Sequence, residues 1–404
     1  MRIKRAGPFK DMSNASVLVT GAALTPFNRR KDGTGFRDWS ADAFDAALRM
    51  ANLERSDIEA LFVASESDFF HLQLNPASIL ASELGLVGVA ATRCEGGGAS
   101  GQVAVHAAVR AVQSRTAKHV AVVGVDPSAS CLSSDAVRGL YGFSFDTWSD
   151  GMTGVTSTAL YALSFQAFAQ QHKTSDADLA RVTQQNRANA CHNPGAHLAR
   201  IDTIEEILQS PEIASPYRRL HCSPLSDGAA ALILSHVDYA PKNRANASRI
   251  AGLGAASDHM HLGARNDISA FTAKTNAMRR ACDEAGIEPD RIGVAEIYDA
   301  YAGAQLQGLV ALGLTKNVGA DLDKGVFAPS GRCPINLSGG LMGQGSPVGA
   351  TGVGQTASCA LILEGQYHTN LQLQNPPQFA LADTHGGICT TAAVTILERG
   401  SKAA

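Results

Sequence analysis

A thirteen-residue pattern recurs in this chain, with three positions identical and others conservatively matched, and the duplication it implies restricts the available folds more than any other feature. "ANLERSDIEALFV" (51–63) lies without gaps on "AGIEPDRIGVAEI" (285–297), where Ala51, Glu54 and Ile58 meet Ala285, Glu288 and Ile292. Leu53 and Val63 likewise meet Ile287 and Ile297. Each copy reads as a helix end, a short turn and a buried strand. A glycine-rich turn leading into a helix follows each copy: "CEGGGASGQ" (94–102) and "NLSGGLMGQGSPVGATG" (336–352). Two related halves are predicted.

Around the repeat, short β-branched runs alternate with amphipathic stretches. "SVLVTGAAL" (16–24), "IEALFVAS" (58–65), "HVAVVGVD" (119–126) and "AALILS" (230–235) read as buried strands. "DWSADAFDAALRMANL" and "GQVAVHAAVRAVQ" carry apolar residues at helical spacing, so an α/β fold with mostly parallel strands is expected. The expected division is an N-terminal half at 14–126, completed by 227–245, a helical insertion at 127–226, and a C-terminal half at 246–404. Ser175, followed by an acidic first turn, predicts a helix start within the insertion. A ligand cleft is expected at the junction of the halves, beneath that insertion.

Composition narrows the function. The net charge of −3 and the absence of a basic stripe argue against a nucleic-acid or membrane-surface partner. The longest apolar runs fall short of a membrane span, and the first residues lack the apolar segment of a secretory signal. The eight cysteines form no CxxC, so a reducing cytoplasm is expected, with neither a disulfide framework nor a zinc site. His259 and His261 form an isolated HxH, and no metal is expected. The glycine clusters match neither a dinucleotide fingerprint nor a phosphate loop.

Four segments carry a family resemblance: "RANACHNPGAH" (187–197), "CSPLSDGAAALILS" (222–235), "INLSGGLMGQGSPVGATGVGQ" (335–355) and "DTHGGICTTAAVTILE" (383–398). Through them the chain resembles the thiolase superfamily, specifically the sterol-carrier-protein type, over nearly its whole length. The resemblance implies a five-layer αβαβα fold with duplicated halves, a homodimer, and coenzyme A entering as part of the substrate, with no permanently bound cofactor. A thiolase of this kind would carry a cysteine at the start of the first-half helix, where backbone N–H groups and the helix dipole lower the thiol pKa. It would also carry the histidine of a Gly-His-Pro motif to activate that thiol. Here Gly98 takes the cysteine position and Ser346 the histidine position. Two reaction partners are missing together.

What remains implies a different chemistry. The family pattern Glu-x-His-Asp-x-Phe becomes "EIYDAY", with Tyr298 at the histidine position and Asp299 retained. His385 matches the histidine of the last loop, and Asn336 begins the Asn-x-x-Gly-Gly signature. A tyrosine and a histidine without a thiol suit a retro-aldol cleavage of an acyl-CoA, with Tyr298, His385, Asp299 and Ser346 as catalytic candidates. Gly98, Asn336 and Gly387 would line the cavity as oxyanion donors or close-packing positions. In this respect the chain is similar to the lipid-transfer-protein aldolases of steroid side-chain breakdown, which pair with an OB-fold, zinc-ribbon protein. Two alternatives stand beside it. One is an acetyl-CoA acyltransferase using a displaced Cys94 or Cys389, the other a non-catalytic thiolase-like subunit.

Overall fold

The computed structural model describes residues 16–30, 32–367 and 370–400. Along the first half, the buried run Val17–Leu24 forms β1, and Phe36–Ala51 forms α1. Asn52, in the left-handed conformation at φ 55°, ends α1 and turns the chain into β2 (Ala60–Ala64). Then come β3 (Ala90–Cys94), α2 (Ser100–Gln113) and β4 (His119–Val125). The insertion holds α3 (Ser134–Tyr141), α4 (Ser157–His172) and α5 (Asp176–Ala190). Ser175 starts α5 as expected, its hydroxyl and the Asp178 carboxylate forming a reciprocal capping box. Strand β5 (Ala229–His236) returns to the first sheet.

The second half repeats the succession. β6 (Arg249–Ser257) leads into α6 (Thr272–Ala285), which ends at Gly286 with φ 67° where Asn52 ends α1. β7 (Ile292–Glu296), α7 (Ala302–Ala311), α8 (Val348–Glu364), β8 (Phe379–Gly386) and β9 (Thr391–Glu398) complete it. The nine strands run in the order β3-β2-β4-β5-β1-β6-β9-β8-β7. β2 is parallel to β3 and β4, with β5 antiparallel between β4 and β1. In the other half β7 is parallel to β8, and β9 runs antiparallel between β8 and β6. The counterpart of β3 is reduced to one parallel bridge, Ala295 to Ile335. Within the sheet, one register pair, Leu18 to Arg249, joins the two half-sheets.

Layering follows from which faces are apolar. α1 covers the outer face of the first half-sheet and α6 that of the second, while α2 and α8 lie between the two. This is the five-layer αβαβα arrangement that the resemblance implies. The central helices approach so closely that a Cβ on Gly101 would sit 2.7 Å from Gly352 Cα. Small residues are required at that crossing.

Candidate active site

The C-terminal ends of β2 and β7, the same strand in the two halves, open onto one cavity of about 1080 Å³. Glu66 lines it from beyond β2, Gly98 from the turn before α2, Tyr298 and Tyr301 from beyond β7, and Ser346 and Gly387 from two glycine-rich turns. The insertion forms the roof. Tyr141, Tyr161, Arg187 and Cys222 face inward, and Arg138, Arg200 and Arg219 stand exposed at the mouth.

At the floor, Gly98 and Tyr298 exclude alternatives for one another. A Cβ added to Gly98 would overlap the Tyr298 hydroxyl and the His385 carbonyl, and would lie 2.9 Å from Tyr298 Cζ. The tyrosine therefore occupies the volume that any side chain at position 98 would need. Burial pushes the Tyr298 phenol far above its usual value, and Glu66, Tyr301 and two aspartates add to the shift. It stays protonated, a donor at the start of α2 where the helix dipole favours negative charge.

His385 falls elsewhere than expected. Its ring centroid is 4.5 Å from that of Tyr298, but the imidazole is fully buried behind the tyrosine and forms no part of the cavity wall. Nε2 lies 2.9 Å from the Tyr161 hydroxyl, which also donates to the Gly387 carbonyl. With that hydroxyl proton committed, Nε2 donates, and Nδ1 is left buried without a partner. Burial, with the Lys274 and Arg265 charges, holds the imidazole well below its ordinary range. It lies against the Tyr161 hydroxyl, outside the cavity.

Two further expectations are corrected. Asp299 is fully buried away from the cavity, accepting from Leu341 N at 2.7 Å, Met342 N at 3.3 Å and Asn186 Nδ2 at 2.7 Å. Burial raises its carboxyl to about 7 against those hydrogen bonds. It clamps the Gly339–Gly343 turn. Asn336, held at φ 52°, accepts from Ile297 N at 2.7 Å and donates to Gln305 Oε1 at 3.2 Å, again outside the cavity. Ser346 and Gly387 do line the cavity, the former with its N–H donated to Ser226 Oγ at 3.1 Å.

Neither displaced thiol reaches the cavity. Cys94 is buried at the end of β3, where burial pushes its thiol to about 11. Cys389 is fully buried, and there burial raises the thiol to about 12. The thiolate is the nucleophilic form, and both sites disfavour it. Among the described residues no cluster of three or more His, Cys, Asp or Glu side chains could hold a metal, and His261 pairs with Asp150 at 2.7 Å. No helix among them is long and apolar enough to cross a membrane.

Glu66, Tyr141 and Tyr161 were missed from sequence. The signal for Glu66 lay in the repeat itself: three more residues of the same register pair Ala64 with Tyr298 and Glu66 with Ala300, another cavity residue. Glu66 Oε2 is buried and makes no hydrogen bond of ordinary geometry. Burial and the Asp126 and Glu95 carboxylates push its carboxyl to about 8, and the facing Tyr141 hydroxyl opposes the rise.

A duplicated five-layer α/β fold with a cavity between paired strand ends is the architecture of thiolase-type proteins. The thiolase N-terminal domain matches residues 17–201, and the thiolase C-terminal domain-like family matches residues 254–399. The acetyl-CoA acetyltransferase of Methanothermobacter thermautotrophicus is 31% identical over 386 residues, covering 95% of this chain and 99% of that protein. Sterol carrier protein 2 of Gallus gallus is 25% identical over 90% of this chain and 68% of its own length. In fold, the chain is similar to the Ltp2-ChsH2(DUF35) aldolase, with a TM-score of 0.81, 22% identity, and 97% and 99% of the two chains covered. The chain belongs to the thiolase family.

Proposed function

We propose that this chain cleaves a carbon–carbon bond of a β-hydroxyacyl-CoA by a retro-aldol route, with no acyl-enzyme. The observation that carries the proposal is the Tyr298 hydroxyl standing where a residue-98 side chain would begin. Gly98 and Ser346 then replace the cysteine and histidine of an acyl-transferring thiolase. A covalent route through Cys94 or Cys389 is disfavoured by their burial outside the cavity.

In the proposed reaction the β-hydroxyl loses its proton and the Cα–Cβ electron pair moves onto the thioester, giving an enolate and a free ketone or aldehyde. The protonated Tyr298 donates to that enolate at the start of α2, and no nucleophile is consumed. The cavity is at the large end for small-molecule sites, which supports a bulky β-substituent. Arg138, Arg200 and Arg219 at the mouth suit the phosphates of coenzyme A. The similar fold of an aldolase named for two components, Ltp2 and ChsH2(DUF35), extends the proposal to a partner chain.

The test incubates the protein with β-hydroxyisovaleryl-CoA and β-hydroxy-β-phenylpropionyl-CoA, and follows products by mass spectrometry. Acetone or benzaldehyde, released with acetyl-CoA, is the expected result. Thiolysis of acetoacetyl-CoA with an acyl group trapped on a cysteine would overturn the reading.

A further inference from the structure

The retro-aldol route leaves the β-hydroxyl proton needing an acceptor, and His385 is sealed from the cavity. Glu66 is not. It leaves the end of β2 as Tyr298 leaves the end of β7, so the duplicated strands deliver one acid–base group each to a shared space. Its backbone is anchored, with Glu66 N donating to Asp126 Oδ2 at 3.0 Å and Asp126 in turn accepting from Ser65 Oγ and Gly349 N. The side chain thus projects from a fixed point, its carboxyl facing the Tyr141 hydroxyl, and its buried Oε2 makes no hydrogen bond of ordinary geometry. A buried carboxyl oxygen left without such a bond is costly unless something outside the chain completes it.

We propose that Glu66 is the base that takes the β-hydroxyl proton, working across the cavity from Tyr298. This rests on the retro-aldol reading. The carboxylate takes the hydroxyl proton, and the O–H electron pair becomes the new carbonyl π bond. The Cα–Cβ pair passes into the thioester enolate, which takes the Tyr298 proton at Cα. Glu66 has gained one proton and Tyr298 has lost one. Transfer of that proton from carboxyl to phenolate resets both groups.

The surroundings suit such a base. Asp126 faces Glu66 from beyond β4, Glu95 from the turn after β3, Tyr141 from α3 and Tyr298 from beyond β7. His71, with Nδ1 3.6 Å from Asp126 Oδ1, backs the aspartate. The result is a carboxyl at about 8, near the pH at which a proton acceptor is most effective in neutral solution. Its charged form fills as pH rises, so turnover should climb through that value.

The experiment measures kcat and KM for β-hydroxyisovaleryl-CoA and β-hydroxy-β-phenylpropionyl-CoA on the full chain from pH about 6 to 10. Glu66→Gln should lose about 10²-fold or more in kcat with KM within a few-fold, and its profile should lack the limb near 8. Tyr141→Phe removes the group favouring the charged carboxyl, so its limb should move to higher pH. An unchanged kcat and limb in Glu66→Gln would overturn the role of Glu66 and leave the retro-aldol reading standing. If that variant does not fold, an unmoved limb in Tyr141→Phe overturns it instead. No cleavage of either thioester by the unaltered protein would overturn the retro-aldol reading, and this inference with it.

Discussion

The two central helices begin in equivalent niches that have been put to different uses. Gly101 of α2 crosses Gly352 of α8, and three residues before each stands another glycine, Gly98 and Gly349. At Gly349 a Cβ would meet the Ala64 carbonyl oxygen and the Asp126 carboxylate, with Oδ2 2.7 Å away. The niche is closed, because Asp126 accepts from Gly349 N at 2.6 Å, Glu66 N at 3.0 Å and Ser65 Oγ at 3.2 Å. An anion there offsets both the unpaired N–H groups and the helix dipole. At Gly98 the same volume holds a neutral phenol from Tyr298, the repeat partner of Ala64, and the niche opens to the cavity. Duplication supplies two helix starts that favour negative charge. Filling one with a carboxylate makes it structural, and leaving the other to a neutral donor keeps it free for charge that develops during a reaction.

The sharpest way to break that contrast is Asp126→Ala, which leaves three donors in a closed niche without their acceptor. A loss of about 3–5 kcal/mol in unfolding free energy is expected in denaturant titrations. A midpoint equal to that of the unaltered protein would show that the carboxylate is not what closes the niche. Tyr298→Phe comes next. It should lower kcat for β-hydroxyacyl-CoA cleavage by about 10²-fold, equivalent to about 2.7 kcal/mol in the barrier, with little change in Tm. A large fall in Tm at unchanged kcat would make the hydroxyl structural, as Asp126 is.

Gly98→Cys places the missing thiol back in the open niche. Overlap with Tyr298 should cost about 1–3 kcal/mol of stability, and mass spectrometry should find no acyl group on the new cysteine. Adding Tyr298→Ala should recover part of that loss, and failure to do so would mean the two side chains do not compete for one volume. The smallest effect is expected at the mouth. Arg219 is exposed and makes no ion pair with the described residues, so Arg219→Ala should raise KM for a CoA thioester by about 2–10-fold, less at high salt. An unaltered KM would place the phosphates elsewhere.

The repeat, the buried strands and the helix start at Ser175 were legible because each is a local pattern with a fixed period or cap. Gly98, Tyr298, Ser346 and Gly387 were legible as cavity residues because motif spacing placed each at a turn or strand end in register with a known scaffold. Adjacency in a motif carried less. Asp299 follows Tyr298 in the chain but turns inward to hold the Gly339–Gly343 turn, and Asn336 holds the backbone of Ile297. His385 sits beside the site, yet Tyr161, from a helix more than two hundred residues away, seals it off.

The sequence by itself determined that two equivalent halves exist, that strands β2 and β7 end at corresponding places, and that position 98 carries no side chain. Those are properties of short segments. Tertiary structure alone decided which groups meet where the strands end. It brought Glu66 and Tyr298 into one cavity, closed the Gly349 niche with Asp126, and turned His385 away. It also set the Glu66 carboxyl at about 8, because burial and the approach of Asp126 and Glu95 from other strands act only once the sheet has assembled.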